Sequence, residues 1–143
     1  MKSLKQRARA GFTLAELMVV IVIIGLLATL VVPNVVRKLF VANIAKAKAD
    51  IVAICTAVDD YAIQNGGKYP DSLEALIQPD PNGHAYLELE TVPQDPWKNP
   101  YVYEPAPQGS SKYRVISYGK DGTPGGEGDD ADIDNIKIRN HEI

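Results

Sequence analysis

Hydrophobic positions fall into three regimes along the chain. From Phe12 to Val32 they run almost unbroken for 21 residues, with only Thr13, Glu16 and Thr29 polar. From Ile44 onward they become periodic. Ile44, Ile51, Cys55, Val58 and Ala62 recur at three-, four- and seven-residue intervals, with Ile54 and Tyr61 beside them. Lys46, Lys48, Asp50, Asp59 and Asp60 fall mostly off that stripe, as on a helix with one apolar face. Beyond Asn65-Gly66-Gly67, a strong helix stop, apolar residues come in short runs divided by proline and glycine.

The first two regimes predict one helix from about Phe12 to about Gln64, roughly 80 Å at 1.5 Å per residue. Pro33-Asn34 is expected to kink or loosen it where the apolar run ends. The third regime predicts a small head. Tyr69–Leu76 reads as a turn and short helix capped by Asp71 or Ser72, and Gln78–Gly83 as a loop. Val92–Tyr101, with three prolines and Trp97, reads as a rigid connector. Tyr101–Glu104 and Tyr113–Ser117 read as a hairpin, and Ile136–Ile138 as a weak further strand. The fold class predicted is α+β, a long N-terminal helix packed on a small antiparallel sheet.

The apolar run is long enough, at about 30 Å, to cross a bilayer core, and longer than the roughly 7–15 residues of a cleaved secretory signal. Charge supports a membrane orientation. Lys2, Lys5, Arg7 and Arg9 precede the run without an acid among the first ten residues. Such a basic head stays on the cytoplasmic side. The rest of the chain holds 11 bases against 18 acids, which argues against nucleic-acid binding. Glu16 is the anomaly. A carboxylate costs on the order of 3 kcal/mol at mid-membrane and less near the headgroups. Either it snorkels to the interface or it needs a positive partner, which a new amino terminus created by nearby cleavage would supply.

The order basic leader, Gly11-Phe12-Thr13-Leu14-Ala15-Glu16, then a long apolar run, resembles the class III signal of type IV pilin-like proteins. The resemblance implies that a prepilin peptidase cuts between Gly11 and Phe12 and that the Phe12 amine is methylated. It also implies that Glu16 pairs with the terminal amine of a neighbouring subunit. Residues 1–11 are then a cytoplasmic leader, 12–35 a transmembrane assembly helix, and 36–143 an amphipathic helix with a periplasmic head. Tyr69-Pro70, Pro93-Gln94-Asp95-Pro96-Trp97 and Ser117-Tyr118-Gly119-Lys120-Asp121-Gly122 further resemble the major pseudopilins of the type II secretion system. That implies a structural subunit of a periplasmic helical filament that drives folded proteins across the outer membrane. Its implied location is the bacterial inner membrane, single-pass. Its implied partners are copies of itself, the prepilin peptidase, minor pseudopilins and an inner-membrane assembly platform.

Residues 119–134 hold six acids and five glycines. A solvated charge run is one reading. A calcium site is the other, because calcium takes six to eight oxygens from carboxylates and carbonyls. The loop is not an EF-hand, since Asn135 and His141 stand where that motif needs Gly and Glu. The pseudopilin resemblance favours one structural calcium ion. It implies Asp121 and Asp130, with Asp132 or Asp129 as third carboxylate, and the carbonyls of Tyr118, Lys120 and Thr123. A lone cysteine, Cys55, excludes an intrachain disulfide, and a metal would take its place. Cys55 lies on the apolar stripe and reads as a structural thiol, and His84 and His141 as surface residues. No nucleophile–base set suggests an enzyme. A type IV pilus major subunit and a monomeric, membrane-anchored calcium-binding protein are the alternatives. The first commonly carries a C-terminal cysteine pair, and the second leaves Gly11-Phe12 and Glu16 unexplained.

Overall fold

The computed structural model describes residues 11–81, 83–107, 109, 110 and 112–142. The leader expected over residues 1–11, with Lys2, Lys5, Arg7 and Arg9, lies outside them except for Gly11. Helix α1 spans Leu14–Gln64, 51 residues. It ends where Gly66 (φ +68°) and Gly67 (φ +87°) take left-handed backbone, and the Gly67 N–H closes back on the Ala62 carbonyl at 2.7 Å. The chain divides into two compact units between Leu39 and Phe40.

In the first unit no residue from Gly11 to Leu39 is buried, and the large apolar side chains from Phe12 to Val32 all stand exposed. The stretch is long and apolar enough to cross a membrane. Helical assignment continues without a break through Pro33, where a kink or loosening was expected. Beside it the Asn34 side chain donates to the Leu30 carbonyl at 3.1 Å.

The second unit is built on the other half of α1. Its buried face is Ala47, Ile51, Ile54, Ala57, Val58 and Ala62, at helical spacing. Ile54 lies at the centre of this face, and Cys55, placed on the stripe from spacing alone, is half-buried beside it. Opposite lie Leu73 and Leu76 from a 3-10 turn (Leu73–Leu76), Tyr101, Tyr113, Val115 and Ile133. Full burial of each large aliphatic side chain contributes about 1.5–3 kcal/mol. Ser72 occupies the N-cap position of that turn but makes no capping bond with its side chain.

Three antiparallel strands, β1 (Val102–Glu104), β2 (Arg114–Ser117) and β3 (Ile133–Asp134), form one sheet in sequence order. Tyr103 pairs with Val115, and Ser117 with Ile133. Two tyrosines fasten the sheet to the helix. Tyr101 donates to Asp50 at 3.0 Å, and Tyr113 donates to Asp59 at 3.0 Å and to the Cys55 carbonyl at 3.2 Å. Burial, reinforced by those carboxylates, pushes both phenols well above the ordinary tyrosine value.

Ile136–Ile138 is not a strand. It lies in helix α2 (Asn135–Arg139), because Asp134 caps that helix by accepting the N–H groups of Ile136 (2.9 Å) and Lys137 (2.8 Å). The Asn135 side chain takes over pairing with β2, accepting from Val115 N–H at 3.1 Å and donating to the Tyr113 carbonyl at 3.3 Å. The ladder therefore ends in a side chain and frees the backbone to turn.

Asp134 is buried and also accepts Arg114 at 2.9 Å. Burial raises its pKa, but the Lys137 N–H and the Arg114 guanidinium outweigh that and hold it below the ordinary carboxylate value. A depressed folded pKa gives stability that is present above the unfolded value of about 3.9 and is lost as pH falls through the folded one. Arg114→Met should therefore move the acid-unfolding midpoint, followed by circular dichroism, to higher pH. An unchanged midpoint would deny the pair this role.

Candidate functional site

The first predicted site is the start of α1. Gly11 is exposed, with nothing within 4 Å of where a Cβ would stand. Thr13 is the residue before the helix and Glu16 its third residue, so the two form a capping box. Glu16 Oε2 accepts the Thr13 N–H at 2.8 Å and the Thr13 hydroxyl at 2.9 Å, and Thr13 Oγ1 accepts the Glu16 N–H at 3.2 Å. The other oxygen, Oε1, has no hydrogen-bond partner among the described residues. The carboxylate is thus bound through one oxygen only within the described residues. The Thr13-x-x-Glu16 spacing is the sequence signature of this box.

The second is the loop between β2 and β3. It folds back on itself. The Lys120 N–H donates to the Asp129 carbonyl at 2.8 Å, and a Cβ on Gly119 (φ +66°) would stand 2.6 Å from that same oxygen, so only glycine fits there. Gly126 lies equally tight against the Asp130 backbone. The predicted carboxylates are partly engaged. Asp121 accepts the Thr123 N–H (3.1 Å) and hydroxyl (2.8 Å), which hold its pKa below the ordinary value. Asp132 accepts the Gly125 N–H with both oxygens, at 2.9 and 3.0 Å. Among the described residues no three acidic, histidine or cysteine side chains converge on one point. Asp129 Oδ1 is the exception to this satisfaction, the one buried side-chain oxygen or nitrogen without a partner among the described residues. The loop thus brings Lys120 to Asp129 and Gly119 and Gly126 to Asp130, and does not bring the carboxylates of Asp121, Asp130 and Asp132 together.

Sequence reasoning missed Asp95. It is 4% exposed, and its carboxylate accepts the N–H groups of Trp97 (3.0 Å) and Asn99 (2.8 Å) and the Ser117 hydroxyl (2.7 Å). The signal was present in Asp95-Pro96-Trp97-Lys98-Asn99, where an aspartate before a proline opens a turn. His84 and His141 are exposed, as expected.

Comparison with known proteins identifies the family. A family model described as type II secretion system protein G matches residues 34–136, and one for the prokaryotic N-terminal methylation motif matches residues 6–32. The chain belongs to the type II secretion system protein G family. It is 43% identical to the core protein G of Pseudomonas aeruginosa, over 92% of this chain and 98% of that one. It is 42% identical to that of Vibrio cholerae, over 96% and 99%. The crystal structure of the major pseudopilin from enterohaemorrhagic Escherichia coli aligns with a TM-score of 0.52 at 32% identity, covering 73% of this chain and 96% of that one. As a member of this family the chain is a structural subunit of the secretion pseudopilus, anchored by an apolar N-terminal helix that carries the methylation motif.

Burial pushes the Cys55 thiol up to about 11, with the neighbouring Asp59 adding to the rise. Only the thiolate reacts. Alkylation of the folded chain at pH 8 should run on the order of a hundredfold slower than that of a free thiol, and recover in denaturant. Equal rates would place Cys55 outside the core.

Proposed function

We propose that a prepilin peptidase cuts this chain between Gly11 and Phe12, that the Phe12 amine is methylated, and that copies then assemble into a helical filament. The filament stands in the periplasm, rooted in the inner membrane, and pushes folded proteins through the outer membrane. Minor pseudopilins and an inner-membrane platform are its proposed partners. The observation that carries this reading is Glu16, half-capped by Thr13 at the head of the exposed apolar stretch that runs to Val32.

In a single copy the carboxylate offsets part of its desolvation through the cap. In a filament its free oxygen meets the terminal amine of a neighbour, and the charge pair forms in a medium where it is strong. The apolar faces from Phe12 to Val32 then supply contact area and the pair supplies register. Contacts of this head-to-tail kind propagate without closing, which makes filaments rather than rings. The reading is of a structural part rather than an enzyme.

The acidic loop is proposed to hold one calcium ion, a hard cation that takes carboxylate and carbonyl oxygens. The unpartnered Asp129 Oδ1, beside the close approach of Lys120 to Asp129, supports it. Asp121, Asp130 and Asp132, which do not converge in the described structure, would have to close in on the ion to supply further carboxylate oxygens, with carbonyls from Tyr118, Lys120 and Thr123. Asp121 and Asp132 each keep lone pairs beyond those bound to N–H groups. The ion would neutralise the clustered acids and tie the loop to the sheet by its binding free energy.

Glu16→Ala should leave membrane insertion and leader cleavage intact but abolish the cross-linked ladder of assembled copies. A normal ladder would overturn the pairing. For the loop, melting of the full mature chain in detergent should rise by several degrees with calcium over chelator, and Asp129→Ala or Asp121→Ala should remove most of that rise. Superimposable curves would return residues 119–134 to a solvated loop.

A further inference from the structure

The entrance of the acidic loop is gripped by a segment that carries none of its charge. Residues 94–100 form a turn closed by a Gln94–Pro100 bridge and by mutual backbone bonds of 2.9 Å, Asp95 N–H to Asn99 carbonyl and Lys98 N–H to Asp95 carbonyl. Lys98 there takes φ +73°, a conformation non-glycine residues rarely adopt. The buried Asp95 carboxylate organises that turn from within. From it two arms reach the loop. Ser117, held by Asp95, accepts the Gly119 N–H at 3.3 Å. Asn99 donates its amide to the Gly119 carbonyl at 2.7 Å and to the Lys120 carbonyl at 3.4 Å. Its carboxamide also lies 3.2 Å from where a Cβ on Gly122 (φ +66°) would be. On the far side, the Lys120 N–H bonds Asp129. Gly119-Lys120 is therefore fixed from two directions.

We infer that Asn99 is a positioning residue for the 119–134 loop, orienting the Gly119 and Lys120 carbonyls so that the loop closes onto Asp129 in the geometry that takes a cation. This rests on the calcium reading above. Six acids in one loop repel one another, with Lys120 the run's one basic residue, and something must oppose that repulsion at the loop's entrance. A neutral donor on a rigid turn does, without occupying an acidic oxygen. It also fixes which way the carbonyl dipoles face before any ion arrives.

The decisive variant is Asn99→Asp, which keeps the shape, removes the donor and adds a carboxylate. If the loop needed only negative charge, this change would tighten calcium binding. Positioning predicts the opposite. Wild type, Asn99→Asp and Asn99→Ala are compared as full mature chains in detergent. Amide exchange of 119–134 is followed in chelator, and calcium titration is read by calorimetry and by emission of Trp97, the sole tryptophan. Protection of Ala47–Ala62 serves as the check that each variant is folded. Should Asn99→Asp lose that protection, Asn99→Ala carries the comparison.

The expected result is loop exchange faster by about tenfold in both variants and calcium affinity weaker by about tenfold, the order of one lost hydrogen bond. Unchanged loop exchange overturns the proposal whatever calcium does. Faster exchange with equal or tighter calcium binding also overturns it, leaving Asn99 as part of the scaffold alone. Faster exchange in the variants, with no calcium uptake by wild type, removes the calcium reading and keeps Asn99 as the residue that closes the loop.

Discussion

Burial of one face of α1, from Ala47 through Ile51, Ile54 and Val58 to Ala62, is the interaction on which the head depends. Sheet strands of two to four residues have little stability by themselves. Their apolar side chains have one surface to pack on, and it is the helix. The tyrosine hydroxyls then decide the placement of that packing. Tyr101 on Asp50 and Tyr113 on Asp59 sit nine residues apart along the helix, so the sheet cannot slide along it without abandoning both part-buried bonds.

The same helix must satisfy two environments. Its Phe12–Val32 portion is apolar all round, so water is excluded only by lipid or by other copies. Its Phe40–Gln64 portion has a single apolar face and meets water on the rest. Polar groups at the entry to the apolar portion are few, and the Thr13–Glu16 box uses one carboxylate oxygen locally. A glutamate with both oxygens satisfied would have no reason to choose a neighbour. One with neither would be costly to insert. The half-capped state lies between, and in the proposed filament pairing with a neighbour's amine would complete it.

A chain with a single cysteine must hold its acidic head loop by other means. The means are layered. Gly119 and Gly126 let backbone cross backbone, Asp95 freezes the 94–100 turn, and Asn99 passes that rigidity to Gly119-Lys120. Neutral hydrogen bonds fix the loop's entrance, and further along Asp121 and Asp132 accept groups of the loop itself. This division explains how a segment with six carboxylates forms an ordered turn beside the sheet.

Elements set by local chemistry were legible from the residues in order. The apolar run, the helix through Gln64 and its glycine stop follow from periodicity and from backbone freedom, which are properties of neighbouring residues. So do the β1–β2 hairpin and the processing motif. What the sequence left undecided depends on distant groups. Ile136–Ile138 alternates like a strand, but Asp134 caps a helix there because Arg114 and β2 fix it in place. Cys55 shares the spacing of the buried stripe, yet the sheet settles over Ile54, a choice of a fraction of a turn. Asp95 and Asn99 carried no sign of their partners, since Ser117 and Gly119 lie about twenty residues away. Periodicity tells which face of an element is apolar. Only packing decides what covers it and which polar groups that packing leaves to one another.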